Sequence, residues 1–94
     1  MRIIFDGETD GEKFVPIGRI QAASSWHGPR SAMTEDFYRA KALENLIDAA
    51  EDCDADAIIE VGYGVDHAEV GDAPGASMLK RVSVTGLAVK LAHR

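Results

Sequence analysis

The feature that most constrains this chain is the passage from a helical pattern to a β-branched one with only three residues between. From Thr34 to Cys53, the residues Phe37, Ala40, Leu43, Leu46, Ile47, Ala50 and Cys53 recur at the spacing of one broad helix face. From Ala57 to Val65 the chain is rich in Ile, Val and Tyr, the composition of a strand. The link is Asp54-Ala55-Asp56. A helix joined so closely to a strand must pack back on the sheet that strand enters. Ile58 and Ile59 are adjacent and point to opposite faces, so this strand reads as buried on both sides. Gly62 and Gly64 weaken its far end and leave bare backbone on one face.

The rest of the chain supplies further strands. Arg2 to Phe5 reads as a short one, followed by turn signals at Asp6-Gly7 and Asp10-Gly11. Phe14 to Ala23 reads as a second strand, with Pro16 marking an edge position or a late start. Ser24 to Met33 is a connection carrying Trp26, His27, Gly28 and Pro29. Thr34 can cap the helix, and Glu35 and Asp36 suit its positive end. At the other end Asp48, Glu51, Asp52 and Asp54 crowd turns where the dipole favours cations. That arrangement reads as a solvated acidic face, or as one met by Lys80, Arg81 or Arg94 across an interface. Asp66 to Leu79 reads as a long polar loop, and Arg81 to Ala92 as the last strand. The apolar phase of that strand changes from Val82 and Val84 to Leu87, Val89 and Leu91. A bulge at Gly86, or burial on both faces, would account for the change.

The segments F-Y-R-A-K-A-L-E-N-L-I-D-A-A-E-D-C-D-A-D-A-I-I-E-V-G-Y and R-V-S-V-T-G-L-A-V-K-L together resemble the YbjQ family (UPF0145), whose name also proposes heavy-metal binding. The match runs from about Gly18 to Leu91 and is most specific at Ala55 to Ile59 and Thr85 to Val89. The chain departs from the family at Asp54, where the family usually has glycine, and at Trp26-His27-Gly28-Pro29. The resemblance implies small α/β subunits closed into pentameric rings, with no established reaction.

The expected fold is therefore a single domain over residues 1–94, an α/β subunit of the α+β type. It has a small, mainly antiparallel four-stranded sheet with strands near 2–5, 14–23, 57–65 and 80–92. One principal helix near 34–53 covers one face. A chain of 94 residues buries roughly 60–65% of its unfolded surface, so its stability alone is modest. Apolar side chains on both faces of two long strands predict self-association through the sheet, with Val84 among the interface residues. A net charge of −6 argues against nucleic acid and anionic membrane as partners. No apolar run reaches the ~20 residues of a membrane helix. Met1 to Asp6 turns acidic too soon for a signal peptide. One cysteine allows no internal disulfide, and the expected compartment is the cytoplasm.

Candidate sites are sparse. Asp66, His67 and Glu69, with Asp72 following, offer carboxylate and imidazole ligands suited to a divalent metal ion. Trp26, His27 and Tyr63 are the candidates for lining a small-ligand pocket. Cys53 sits on the apolar helix face among acidic neighbours, which disfavour a reactive thiolate. No G-x-S-x-G and no phosphate-binding glycine loop is present. These features favour a non-enzymatic, oligomeric module for a small ligand or metal ion. The alternatives are a small enzyme with an intersubunit pocket using His67 or Tyr63, and a purely structural or regulatory ring.

Overall fold

The structure, a computed structural model, describes residues 2–3, 13–71 and 77–92. Its elements are β1 (Arg2–Ile3), β2 (Phe14–Ala23), α1 (Glu35–Asp52), β3 (Ala57–Val70) and β4 (Ser77–Leu91). The fold is α+β: one helix packs on an antiparallel sheet of three long strands, β3-β4-β2. Of the expected first strand the described residues are Arg2–Ile3, paired in parallel with Ala57 and Ile58 at the outer side of β3. Residues 4 and 5 and the turn signals at 6–11 lie outside the described residues, as do Asp72 and Arg94.

α1 begins as its sequence dictates. The Thr34 side chain accepts a hydrogen bond from the Phe37 N–H at 3.3 Å, and Glu35 and Asp36 occupy the first turn. It ends in a Schellman motif. The Ala55 N–H donates to the Ala50 carbonyl at 3.0 Å and the Asp54 N–H to that of Glu51 at 3.0 Å. Asp54 sits at the left-handed position of this motif, with φ of 62°. The chain then docks on β4. The Asp56 N–H donates to the Val89 carbonyl at 2.8 Å, and its carboxylate accepts from the Leu91 N–H at 2.7 Å.

The buried stripe of the helix keeps Leu46 and Ala50 of the expected face, with Leu43 and Ile47 packed beside them, but is turned toward Tyr38 and Ala42 instead of Phe37 and Ala40. Tyr38, Ala42, Leu46 and Ala50 face the core, while Phe37 is exposed. They meet Ile58, Val82 and Val84 from the sheet, with Ile20, Ala22, Leu43 and Ile47 around them. Val84 is therefore a core residue of the subunit with 0% exposure, not an interface residue. Tertiary contact decided the stripe: the polar end of Tyr38 finds Ser31, a partner no helical period reveals.

On the face away from α1, Ala57 and Val89 form a second small cluster with Phe14, Ile59 and Leu87. The phase change in β4 thus reflects burial on both faces. The irregularity lies in β3, between Ile59 and Gly62 and opposite Gly86, where Glu60 has φ of 54°. Gly86 is required by close approach. A methyl group there would meet the Ile58 Cγ2 at 2.5 Å.

The largest departure is at residues 66–79. Residues 66–70 continue β3 and residues 77–79 begin β4, as a hairpin that pairs Asp66 with Arg81 and Val70 with Ser77. Asp66, His67 and Glu69 are polar and none of residues 66–69 is buried, so no hydrophobic period marks this stretch as strand. The hairpin lengthens the molecule to 61 × 20 × 17 Å. The radius of gyration is 16.3 Å, against about 12 Å for a compact chain of this length. No helix among the described residues is long and apolar enough to cross a membrane.

Candidate functional site at the start of the helix

Beyond Ala23 the chain keeps to the side of β4. The buried Ser24 exchanges bonds with Val82: its N–H donates to the Val82 carbonyl at 2.8 Å, and its hydroxyl accepts from the Val82 N–H at 3.0 Å. His27 then pairs with Lys80, N–H to carbonyl in both directions at 2.8 and 2.9 Å. Lys80 is in turn the β4 partner of His67. His27, Lys80 and His67 therefore stand side by side in one row of the sheet.

The His27 ring lies flat on Tyr38, with centroids 3.6 Å apart and planes within 6°. The Tyr38 hydroxyl is bound to the Ser31 hydroxyl, which also accepts from the Met33 N–H at 3.2 Å. This stack ties the 24–33 connection to the first turn of α1. The Nδ1 of His27 is buried and has no hydrogen-bond partner. A buried nitrogen left unpaired costs about 1–3 kcal/mol and calls for an explanation such as a bound group.

Two cavities adjoin His27. One, of about 320 Å³, is lined by His27, Gly28, Pro29, Ser31, Met33, Met78 and Lys80. The other, of about 200 Å³, is lined by His27, Glu35, Val65, Lys80 and Val82. A third depression of about 170 Å³ lies next along the sheet, between Glu35, Arg39, Tyr63, Gly64, Val65 and Val82. There the Arg39 guanidinium sits 4.4 Å from the centre of the Tyr63 ring, a cation–π contact. Together these hollows form a strip of mixed polar and apolar lining that carries the His27 and Tyr63 rings, with Lys80, Arg39 and Glu35 as its charged groups. Such a strip can hold a small molecule by ring stacking and one or two charged contacts.

Of the residues singled out by sequence, His27 and Tyr63 are brought to this strip. Trp26 is not: it packs on the other face, where the Arg81 guanidinium stands 4.6 Å from its ring centre. Asp66, His67 and Glu69 lie on a strand, not a loop, and successive strand residues face opposite ways. His67 and Glu69 point to the side of α1. Asp66 points away and accepts a hydrogen bond from Arg81 Nε at 2.8 Å. Among the described residues no group of three His, Cys, Asp or Glu side chains converges as a metal site. Cys53 lies at the far end of α1 from His27, its thiol donating to the Ala50 carbonyl at 3.2 Å. No basic residue occupies the last turn of α1.

Tyr38, Arg39, Lys80 and Glu35 were not among the site residues expected from the sequence. Each looks like an ordinary surface helix or strand residue until the sheet register places it beside His27 or Tyr63.

No family model matches the sequence, and no curated protein matches it. The fold does have a solved counterpart, a protein of unknown function from the DUF74 family of Pediococcus pentosaceus ATCC 25745. The two structures are similar with a TM-score of 0.64 and 18% identity, over 96% of this chain and 98% of that one. DUF74 is the family also called YbjQ or UPF0145; at this identity the likeness establishes the fold.

Proposed function

We propose that this chain is a non-enzymatic, oligomeric module of the YbjQ type that binds a small ligand or a metal ion beside His27. The observation that carries the reading is His27, which lines two cavities and whose Nδ1 is buried without a hydrogen-bond partner. A ligand donor, or a metal ion taking the imidazole nitrogen, would satisfy it. His67 lies in the same row and Glu69 on the same face of β3. These two are the residues through which a divalent ion would be shared, with further ligands from a neighbouring subunit. Asp66 is held by Arg81 on the opposite side and belongs to the metal reading only if that pair opens.

Self-association is part of the proposal. Val15, Ile17, Met33, Phe37, Tyr63, Val65 and Met78 are all large, apolar and exposed. β2 is a terminal strand of the sheet, and among the described residues β1 covers β3 at Ala57 and Ile58. Unpaired edges of this length invite another strand unless an assembly covers them. The resemblance to the YbjQ family favours a closed ring of five. The acidic balance and single cysteine favour the cytoplasm, with neither nucleic acid nor membrane as partner.

Native mass spectrometry and light scattering test both halves. The expected assembly is a single closed species of several 10.1 kDa subunits, and a well-folded monomer would remove it. Titration with Zn²⁺, Ni²⁺ and Cu²⁺ should show binding at micromolar levels that His27→Gln and His67→Ala each weaken. Unchanged affinity in both variants, or no binding by the wild type, would eliminate the metal version. The small-ligand version then stands or falls on a co-purifying adduct that His27→Gln abolishes.

A further inference from the structure

The face of the sheet away from α1 carries a second groove of about 340 Å³, lined by Gln21, Ala23, Asp66, Arg81, Ser83 and Thr85 among others. It has no part in the His27 strip. The register explains how it forms. Gln21 and Thr85 are partners across β2 and β4, as are Ala23 and Ser83. On the other side of β4, Thr85 pairs with Gly62, Ser83 with Gly64 and Arg81 with Asp66. Ala22 and Ala23 keep one side of the groove low, and the side chains of Gln21, Asp66, Arg81, Ser83 and Thr85 rise around it.

The polar groups here are ordered yet incompletely used. Arg81 is held between the Trp26 ring on one side and the Asp66 carboxylate at its Nε. That leaves both terminal nitrogens of its guanidinium available, the fork that matches a carboxylate. Asp66 receives Arg81 through one oxygen and keeps the other. The side chains of Gln21, Ser83 and Thr85 make no hydrogen bond within the described structure. A fixed cation, a fixed anion beside it and three unspent hydrogen-bonding side chains therefore share one concave surface.

We infer that this groove binds a small zwitterion of the α-amino acid type. The ligand's carboxylate lies against the Arg81 guanidinium with support from the Ser83 and Thr85 hydroxyls. Its ammonium group lies toward the free oxygen of Asp66, next to Arg81 in the same row of the sheet. Neither charge alone suits the site, because Arg81 and Asp66 are adjacent, and a lone anion or cation at one would stand beside the like charge of the other. Trp26 acts as a positioning residue, fixing the plane of Arg81 without lining the groove.

The test is a titration of the full chain with free amino acids, followed by ¹H–¹⁵N amide shifts, with acetate and methylammonium as half-ligand controls. Saturable shifts centred on Asp66, Arg81, Ser83 and Thr85 are expected with at least one amino acid. Arg81→Lys and Asp66→Asn should each weaken binding by about tenfold or more, while His27→Gln leaves it unchanged. Trp26→Leu should weaken it less. Ser83→Ala, which leaves the Arg81–Asp66 pair intact, provides a second variant if the charge changes disturb the fold. Absence of saturable shifts with any amino acid would overturn the proposal. So would equal binding of acetate alone, or shifts confined to the surroundings of His27.

Discussion

Replacing Gly86 by alanine pits two effects of opposite sign against each other, and the structure decides between them. In a strand interior glycine is usually the weaker residue, by about 0.5–1 kcal/mol, because it loses more backbone freedom on folding. At Gly86 the added methyl would stand 2.5 Å from the Ile58 Cγ2 and 3.5 Å from both the Leu46 Cδ2 and the Ile59 carbonyl oxygen. Carbon atoms in contact prefer about 3.5–4.0 Å, so Ile58 would have to yield by about 1 Å. It cannot do so freely, since Ile58 and Leu46 are both 0% exposed and pack on each other's surroundings. Overpacking of this kind costs about 1–3 kcal/mol. The net expectation is a loss of about 1 kcal/mol, or about 4–8 °C in Tm for a chain of this size. Gly62 supplies the control. A methyl there meets only the Thr85 Oγ1, at 3.9 Å, so Gly62→Ala should stabilise by about 0.5–1 kcal/mol. Ile58→Leu removes the offending methyl at nearly constant volume and should partly rescue Gly86→Ala in the double variant. Urea unfolding followed by circular dichroism at one fixed protein concentration measures all four chains. A Gly86→Ala variant as stable as the parent, or a Gly62→Ala variant that loses as much, would refute the reasoning.

Three further outcomes are expected. Val84→Glu should unfold the subunit, costing more than about 4 kcal/mol, whereas Val15→Glu and Ile17→Glu, at positions 54% and 42% exposed, should keep the fold and lower the assembled mass; circular dichroism with light scattering separates the two. Asp54→Gly should stabilise by about 0.5–1 kcal/mol in thermal unfolding, since it relieves a left-handed residue and removes an anion from the helix C-terminus. Asp56→Ala should destabilise by about 1–3 kcal/mol in urea, because it strips the Leu91 N–H of its acceptor.

How much of this was legible in the sequence follows from what each residue meets. α1 and the stretch from Ala57 to Val65 could be read because helix cap, apolar period and β-branched run agree with the contacts they make. The exact buried stripe could not, because Tyr38 is drawn inward by His27 and Ser31 from a segment seven or more residues away. The hairpin beyond Val65 was hidden for another reason. Asp66, His67 and Glu69 are held by cross-strand pairing and by Arg81 rather than by a core, and polar residues in that state read as loop. Grouping the site candidates needed the register. Trp26 and His27 are neighbours in sequence yet serve opposite faces, while His27 and Tyr63 are distant in sequence yet share one.

The reach of the β3–β4 hairpin also determines how this protein will behave in a flow. A rod-like particle drags more solvent than a sphere of equal mass, and its diffusion is slower along two of its three axes. With a long dimension at least three times either of the others, a single copy would leave a sizing column ahead of a globular standard of 10.1 kDa. Early elution is therefore what one subunit does by shape alone, and only a mass measured independently of friction counts subunits.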